Sequence, residues 1–472
     1  MVKRWKCEIC GRVFEGENPP APCPVCGAGE SAFTCLDAPK AVKWRCEVCL
    51  QVFEGDQPPV PCPVCGAGVD AFVPVAEEQG AYKRDAYENI VIIGGGVAGL
   101  EAARSVRERN SLAAIAVICG EGRPPYNRPA LSDVVADGYS FAAIELEDAD
   151  FYGKNRITLI MDARAERVDT AAHTVHLSDG RELRYDKLCL ATGASAFNPV
   201  KEEAGSVPCT VLRTYDDALR VMEYASGGNR AVIVGGGILG IEAAAALRER
   251  GCRVTVLELS GGLLSLQADE ETSEHIRSAL ESAGIHVITG LSVASVDASG
   301  AQLTDGSRID ADFILASAGI RSDTRLARDM GLLTNRGVAV DEWMRTSMEN
   351  VFAAGDCAQV NGKVAGLWSA AAAQGQAAGA SMAGDDSAPY MEAVPATSFE
   401  GLGVKLFSAG RVRGKSLSVM SFKEPYGSYK KLFFEKGALC GAVFFGDAGK
   451  SAGAISLIRQ GAGVLAAAEL LA

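Results

Sequence analysis

The sequence predicts a multidomain fold: two small four-cysteine modules, an α/β body with two doubly wound parallel sheets, and a small α+β domain at the C-terminus. Three observations predict it. An N-terminal segment is repeated with cysteines at matched spacing. Two strand–glycine turn–helix units follow, which is typical of parallel α/β folds. The final stretch changes to strand-like runs and a helical tail. A chain of 472 residues is long enough for several domains.

The repeat consists of two copies that align without a gap. Residues 5–33 read WKCEICGRVFEGENPPAPCPVCGAGESAF, and residues 44–72 read WRCEVCLQVFEGDQPPVPCPVCGAGVDAF. Each copy carries C-x-x-C twice, and the predicted ligands are Cys7, Cys10, Cys23 and Cys26 in the first copy and Cys46, Cys49, Cys62 and Cys65 in the second. Four thiolates in two such pairs form a tetrahedral site for iron or zinc. Because each module is so small, we expect the metal to supply much of its folding energy.

The pattern C-x-x-C-G…P-P-x-x-C-P-x-C-G resembles rubredoxin, most closely the short rubredoxin domain of rubrerythrins. The resemblance implies one mononuclear iron in each module, with structural zinc as the alternative. It also implies an aromatic cover formed by Trp5, Phe14 and Phe33, and by Trp44, Phe53 and Phe72. Leu50 departs from the family, which has glycine there, so the second site is expected to be distorted, shifted in potential or less selective for iron.

The first glycine turn follows the apolar run Asn89–Ile93 and precedes a predicted helix over residues 98–109. Its glycines are Gly94, Gly96 and Gly99. Such a turn lets the backbone approach a pyrophosphate, which then lies at the helix N-terminus. Glu121 ends the next strand, at the distance expected for a bond to ribose hydroxyls. Together these features predict a dinucleotide site.

From this turn onward the chain resembles the two-dinucleotide-binding flavoprotein reductases of the FAD-dependent pyridine nucleotide-disulfide oxidoreductase superfamily. The segment RPPYNRPALS at residues 123–132, the ATG turn at 191–193 and the AGD motif at 354–356 carry the resemblance. It implies FAD contacts from Arg128, Ser132, Thr192, Gly193, Gly355, Asp356 and Trp368. Many relatives have lysine after the Leu-Ser pair, whereas this chain has Asp133, so no lysine contact with the flavin is expected.

The second glycine turn predicts the site for NADH. Its glycines are Gly235, Gly237 and Gly240, and Glu258 closes the following strand. A carboxylate there bonds the adenosine ribose and repels a 2′-phosphate, which favours NADH over NADPH. By resemblance, Gly319 lies in the loop that lets nicotinamide stack on flavin. Glu242 resembles a glutamate near the nicotinamide, although the helix dipole alone would also favour a glutamate at this turn.

The predicted domain boundaries follow from these motifs. Rubredoxin-like modules occupy residues 1–38 and 40–76, and a linker occupies 77–88. The FAD-binding domain comprises 89–212 and 320–388, the NAD-binding domain 213–319, and the C-terminal α+β domain 389–472.

The overall resemblance is to the NADH:rubredoxin oxidoreductases with two rubredoxin modules fused in front. It implies that NADH reduces FAD, and that electrons then pass to the two irons and on to a protein such as rubrerythrin, flavodiiron protein or superoxide reductase, in oxygen or superoxide detoxification. Hydride transfer needs only proximity and orientation, so no catalytic acid or base is predicted. The remaining cysteines include no C-x-x-C pair, which favours electrons leaving the flavin directly.

Two alternatives stay open: a reductase for another acceptor, such as a ferredoxin or an oxygenase, or a redox-sensing flavoprotein whose modules hold structural zinc. The net charge of −13 disfavours nucleic acid and anionic membranes as partners. The sequence opens without an apolar leader, so a cytoplasmic protein is expected.

Overall fold

The computed structural model describes residues 3–7, 12–20, 22–26, 29, 33–35, 42–75, 82–202, 204–423, 427–447 and 449–471. The chain divides into two compact units. One comprises Met1–Trp44, Val52–Pro58 and Pro74–Ala76, and the other comprises Arg45–Gln51, Pro59–Val73 and Glu77–Ala472. Among the described residues, no helix is both long and apolar enough to cross a membrane.

The first module is built on a three-stranded antiparallel sheet. Its strands are Lys3–Cys7, Val13–Gly16 and Phe33–Cys35, with Lys3–Cys7 in the centre. The rings of Phe14 and Phe33 meet edge to face with centroids 5.9 Å apart. The Trp5 indole N–H donates to the Gly16 carbonyl at 3.2 Å. This small apolar cluster is consistent with a module that relies on metal for stability.

The second module repeats these elements. Its strands are Val42–Cys46, Val52–Gly55 and Phe72–Val75, and a 3₁₀ turn covers Val69–Ala71. The Trp44 indole N–H donates to the Gly55 carbonyl at 3.1 Å, at the position equivalent to the Trp5 bond. The repetition of this bond supports two copies of one module.

The first half of the body is a parallel five-stranded sheet. In spatial order its strands are Val351–Ala353, Lys187–Leu190, Asn89–Ile93, Ala114–Ile118 and Ile157–Ile160. Helices Val97–Arg109 and Trp368–Met382 pack closely together beside it. The two helices approach so closely that a Cβ at Gly375 would lie 2.3 Å from the Ala98 carbonyl oxygen. Only glycine fits at this position.

The second half repeats the architecture with its own parallel sheet. Its strands in order are Cys209–Val211, Phe313–Ala316, Arg230–Val234, Arg253–Glu258 and His286–Thr289. Helix Ile238–Glu249 follows the glycine turn, and helix Glu270–Ser282 begins at Asp269, whose side chain accepts from the Thr272 amide at 3.2 Å. The two predicted doubly wound units are confirmed.

Small sheets and short helices complete the two halves. Two antiparallel three-stranded sheets comprise Ala165–Asp169, Thr174–Leu177 and Glu182–Arg184, and Val293–Asp297, Gly300–Leu303 and Arg308–Asp310. Two-stranded pairs join Ala194–Ala196 with Ile320–Ser322, and Val338–Val340 with Ala358–Val360. The short helices are Leu131–Asp137, Phe141–Ile144, Ala149–Lys154, Tyr215–Tyr224 and Arg325–Asp329, with 3₁₀ turns at Arg128–Ala130 and Gly355–Cys357.

The C-terminal stretch forms a five-stranded antiparallel sheet with a helical tail, which confirms the predicted α+β class. The strands in order are Ala396–Gly401, Val404–Gly410, Ala438–Phe445, Tyr429–Glu435 and Ser418–Lys423. Helices Ser451–Gln460 and Val464–Ala467 and a 3₁₀ turn at Ala468–Leu470 follow.

The C-terminal sheet is joined to the second nucleotide half through its core. Phe433 of this sheet and Leu247 of helix Ile238–Glu249 belong to the same apolar cluster. Lys431, only 3% exposed, bonds Asp269 at 2.5 Å and Glu271 at 2.8 Å. A buried ammonium group requires such partners, so this sheet and this helix terminus are stabilised together.

Of the predicted linker 77–88, residues 77–81 lie outside the described part. The Arg84 amide donates to the Arg109 carbonyl at 2.8 Å, and the Arg84 guanidinium pairs with Glu88. The end of this segment is therefore held against the helix Val97–Arg109. The predicted domain boundaries stay predictions.

Candidate cofactor and metal sites

The second module brings four cysteines together. The Sγ atoms of Cys46, Cys49, Cys62 and Cys65 all lie within 4.8 Å of one another. The Cys46–Cys65 and Cys49–Cys62 sulfur pairs are each 3.7 Å apart. Three of the thiols are buried and Cys65 is half-buried. Iron and zinc are each coordinated tetrahedrally by four cysteine sulfurs. These four residues therefore fit a single metal ion.

Leu50 adopts the backbone conformation that glycine supplies in the family pattern. Its φ is +61°, and its amide donates to the Cys46 carbonyl at 2.7 Å. The matching turn after the second cysteine pair uses Gly66 at φ +69°, with its amide 2.9 Å from the Cys62 carbonyl. The left-handed region costs a leucine roughly 1 kcal/mol. The first turn of the cluster therefore keeps its shape at a local cost in strain.

The first module brings together the three ligands that the structure describes. The Sγ atoms of Cys7, Cys23 and Cys26 lie within 4.8 Å of one another, and those of Cys7 and Cys26 are 3.6 Å apart. Cys10, the fourth predicted ligand, lies outside the described residues. Cys7 and Cys23 are buried, whereas Cys26 is exposed.

The first glycine turn leaves room for a phosphate group. A Cβ at Gly94 would lie 2.0 Å from the Ala191 carbonyl oxygen, and a Cβ at Gly99 would lie 2.0 Å from the Gly94 carbonyl oxygen. Gly96, in contrast, faces open space with no heavy atom within 4 Å of such a Cβ. Gly96 is also the N-cap of the following helix, and within the described residues no side chain caps that turn. Free amide groups beside open space fit a pyrophosphate.

Glu121, predicted to end the strand, lies instead three residues beyond the strand Ala114–Ile118, in a network of polar side chains that links the predicted FAD segments. Glu121 accepts a hydrogen bond from the Tyr126 hydroxyl at 2.7 Å and pairs with Arg128. Arg128 also donates to the Arg213 carbonyl at 2.8 Å, and the Arg213 guanidinium bonds Asp356 at 2.8 Å. Five residues from three separate segments are thus linked in one network. Arg213 belongs to no motif in the sequence, and its position before a capped helix gave no signal of this role.

The other predicted FAD residues lie on the elements around the first sheet. The Thr192 hydroxyl donates to the Asp323 carbonyl at 2.7 Å, and the Asp323 amide donates to the Gly193 carbonyl at 2.9 Å. Gly355 has a φ of +82°, and its amide donates to the buried Gln374 side chain at 2.8 Å. The Ser132 hydroxyl donates to the Pro129 carbonyl at 3.4 Å.

Trp368 begins the helix Trp368–Met382 with an unsatisfied donor. Its indole nitrogen is buried and has no hydrogen-bond partner among the described residues. A buried donor without a partner costs about 1–3 kcal/mol. An acceptor supplied by a bound cofactor would remove that cost, so this atom fits the predicted FAD contact.

The second glycine turn repeats the geometry of the first. A Cβ at Gly235 would lie 2.2 Å from the Ser317 carbonyl oxygen, and a Cβ at Gly240 would lie 2.0 Å from the Gly235 carbonyl oxygen. Gly237 is the N-cap of the next helix and faces open space. Gly319, at φ +105°, also faces open space, since a Cβ there would meet no heavy atom within 4 Å. The residues therefore fit a second dinucleotide.

Glu258 is held at the mouth of the second turn by backbone amides. Its two carboxylate oxygens accept from the Gly236 and Ser260 amides, each at 2.7 Å. These bonds fix the orientation of the carboxylate beside the glycine turn. A carboxylate in this place accepts ribose hydroxyls and repels a phosphate.

Glu242 and Asp133 form an unusual acidic pair between helices Ile238–Glu249 and Leu131–Asp137. Burial, with a contribution from the Asp133 charge, raises the pKa of Glu242 to about 8. Burial also raises the pKa of Asp133, as do the charges of Asp137 and Glu249. The position at which many relatives carry lysine therefore adds a negative charge beside Glu242.

We expect the substitution Glu242→Gln to change the pH dependence of stability. Because the folded-state pKa is raised above the ordinary value of 4.5, the folded protein holds a proton that the unfolded chain releases, and stability falls as pH rises from about 4.5 to about 8. Glutamine removes this loss, so the gain of the variant should be small at pH 5 and reach about 2–4 kcal/mol at pH 9. Unfolding curves without nucleotide at both pH values measure it. Glu281→Gln, on an exposed helix end, is the control, and parallel pH profiles for both variants would contradict the prediction.

The cysteines outside the clusters are packed as buried thiols. Cys119, Cys189 and Cys357 are all buried, and burial is the largest cause that raises the pKa of each thiol. A raised pKa keeps sulfur protonated and unreactive. These residues therefore fit packing rather than thiol redox chemistry.

Three family profiles match the chain. The pyridine nucleotide-disulphide oxidoreductase profile matches residues 88–375. The C-terminal domain of rubredoxin NAD+ reductases matches residues 395–462. The rubredoxin-like domain of rubrerythrins matches twice, at residues 5–34 and 44–73.

Individual proteins are similar over most of this chain. The assimilatory nitrate reductase electron transfer subunit of Bacillus subtilis is 32% identical over 76% of the chain and 48% of its own length. The nitric oxide reductase FlRd-NAD(+) reductase of Aeromonas salmonicida is 30% identical over 79% of the chain and 96% of its own length. The crystal structure of NADH:rubredoxin oxidoreductase from Clostridium acetobutylicum has a TM-score of 0.67 and 25% identity, covering 82% of this chain and all of that one. The chain spans about half the length of several curated relatives that it matches.

Proposed function

The chain belongs to the pyridine nucleotide-disulphide oxidoreductase family, and on that basis we propose that it oxidises NADH through FAD and passes the electrons to iron in its four-cysteine modules. The observation that carries the proposal is that one compact unit holds both open glycine turns and a complete four-cysteine cluster. The names of the relatives support it, since they include electron transfer subunits and rubredoxin reductases.

The side chains described above have distinct tasks in this proposal. Gly96 and Gly237 leave space for the two pyrophosphates at the helix N-termini. Arg128 and Trp368 hold FAD, and Glu258 selects NADH by binding its ribose. FAD, when bound, supplies the conversion of a two-electron hydride transfer into one-electron steps. The chain itself contributes position and electrostatics, so no side chain has to act as an acid or base.

Iron is proposed for the modules because zinc has no redox role. The overall reaction is NADH plus two Fe(III) giving NAD+, one proton and two Fe(II), which balances both electrons. A protein acceptor such as rubrerythrin, a flavodiiron protein or superoxide reductase would then receive the electrons. The Aeromonas relative is named as a reductase of a nitric oxide reductase component, which supports a role in the detoxification of small oxidants.

An anaerobic titration with NADH tests the proposal. The purified protein should contain FAD and about two iron ions, and NADH should bleach both the flavin band and the iron–thiolate bands in the visible spectrum. The same protein reconstituted with zinc is the control, because only its flavin band can bleach. Flavin that bleaches while the iron bands persist would refute the electron path, and native protein that contains only zinc would refute the modules' redox role.

A further inference from the structure

The two modules have the same sequence at one position but different surroundings. Val25 and Val64 occupy the same place in C-P-V-C, between the third and fourth cysteines of their copies. Val25 is 59% exposed, whereas Val64 is only 9% exposed. Cys26 is likewise exposed, whereas Cys65 is half-buried. Because the local sequence is identical, we attribute the difference to the elements that contact the second module.

The covering surface includes the predicted FAD segment. The Asn127 side-chain amide donates to the carbonyl of Pro63, which lies between Cys62 and Cys65, at 3.2 Å. Asn127 is 7% exposed and stands between Tyr126 and Arg128, the residues that bond Glu121. A backbone carbonyl of the metal-binding turn is therefore in direct contact with the segment that is expected to follow the cofactor.

Three further contacts fix the second module against the body. Glu47, next to Cys46, is buried and lies 3.5 Å from the Arg459 guanidinium. The turn Val69–Ala71 packs against the helix Ser451–Gln460, which carries Arg459. A third contact joins Gln51 to Glu101 of the helix that follows the first glycine turn. Three elements of the body thus hold the metal-binding face of this module.

We infer that the second four-cysteine cluster is the direct electron acceptor from the flavin and that the first cluster receives its electrons from the second. This inference rests on the proposed function. Each transfer reduces one Fe(III) to Fe(II), and two successive transfers account for the two electrons of one NADH. The second cluster already contacts the predicted FAD segment, so no movement of the module is needed before electron transfer. The first cluster keeps an exposed surface at Val25 that a protein acceptor can contact.

The difference in exposure also predicts the direction of electron transfer between the two clusters. An iron held by four thiolates carries net charge −1 when oxidised and −2 when reduced, so burial penalises the reduced form more. The more buried second cluster should therefore have the lower potential. Electrons would move downhill from the second cluster to the first.

A matched pair of substitutions tests the docking. Val64→Lys places a charge at a buried position of the metal-binding turn, whereas Val25→Lys places the same charge at the equivalent exposed position. Both full-length proteins are loaded with iron and FAD, and iron content is measured for each. Amide hydrogen exchange of residues 62–67 and 451–460 should rise at least tenfold in the Val64→Lys protein and change less than twofold in the Val25→Lys protein. Equal exchange in the two variants would overturn the inference.

Removal of each metal in turn tests the electron path. After rapid mixing with NADH, Cys23→Ala/Cys26→Ala protein, which keeps the second cluster, gives the reference rate for reduction of its remaining iron. Cys62→Ala/Cys65→Ala protein, which keeps the first cluster, should reduce its remaining iron at least tenfold more slowly than this reference, with flavin bleaching followed in the same traces. Equal rates, or the reverse order, would overturn the inference. Failure of the proposed function looks different, because then NADH reduces no iron even in the unmodified protein.

Discussion

Alanine at Gly240 will lower kcat/KM for NADH at least 100-fold while FAD stays bound. The added Cβ would lie 2.0 Å from the Gly235 carbonyl oxygen, a backbone atom that has to move. Such a movement displaces the turn that positions the nucleotide, and a misplacement of about 1 Å costs on the order of 100-fold in rate. Steady-state NADH oxidation with ferricyanide as acceptor measures the loss, and the flavin spectrum measures bound FAD.

The first glycine turn supplies the matched control. Gly99→Ala creates the same 2.0 Å contact with the Gly94 carbonyl oxygen, so that variant should lose FAD instead of NADH binding. Gly237→Ala meets no atom within 4 Å and should weaken NADH binding without loss of fold. A Gly240→Ala protein that loses its flavin, or that oxidises NADH normally, would contradict the assignment of the two turns.

Replacement of Glu258 by alanine will remove most of the preference for NADH over NADPH. The variant loses a carboxylate that the Gly236 and Ser260 amides hold in place. A hydrogen bond to a charged group contributes about 1.5–3 kcal/mol, so kcat/KM for NADH should fall roughly 10- to 100-fold. The same change removes the repulsion of a 2′-phosphate, so kcat/KM for NADPH should rise. Initial rates with both nucleotides give the ratio.

Glu121→Ala is the control for this change, because Glu121 is the acidic residue predicted to contact FAD instead of NADH. It should lower the affinity for FAD and leave the ratio of NADH to NADPH unchanged. If Glu258→Ala leaves the ratio as it was, Glu258 does not select the nucleotide.

Features that depend on short sequence motifs could be predicted from the sequence. The cysteine spacing predicted that Cys46, Cys49, Cys62 and Cys65 converge, because two C-x-x-C turns position sulfur whatever surrounds them. The glycine turns could also be predicted, since each lies between a recognisable strand and a recognisable helix. The C-terminal strands could be predicted from strand-like runs in the sequence.

Features that depend on contacts between distant segments could not be predicted. Arg213 joins Arg128 and Asp356 only because three separate segments meet in space. The conformation of Leu50 is also set by its position in the turn and opposes its own preference. Most plainly, Val25 and Val64 have identical neighbours in sequence and opposite exposure. The cofactor residues and domain boundaries stay predictions for the experiments above.

The buried Lys431 has a consequence for protein engineering. Its ammonium group pairs with Asp269 and Glu271, which belong to the second nucleotide half and not to the C-terminal sheet. A chimera that exchanges residues 395–462 between reductases would bury this charge against a foreign surface. Recombination should therefore move both acidic residues together with the C-terminal sheet, or replace Lys431 by an apolar residue in the same step.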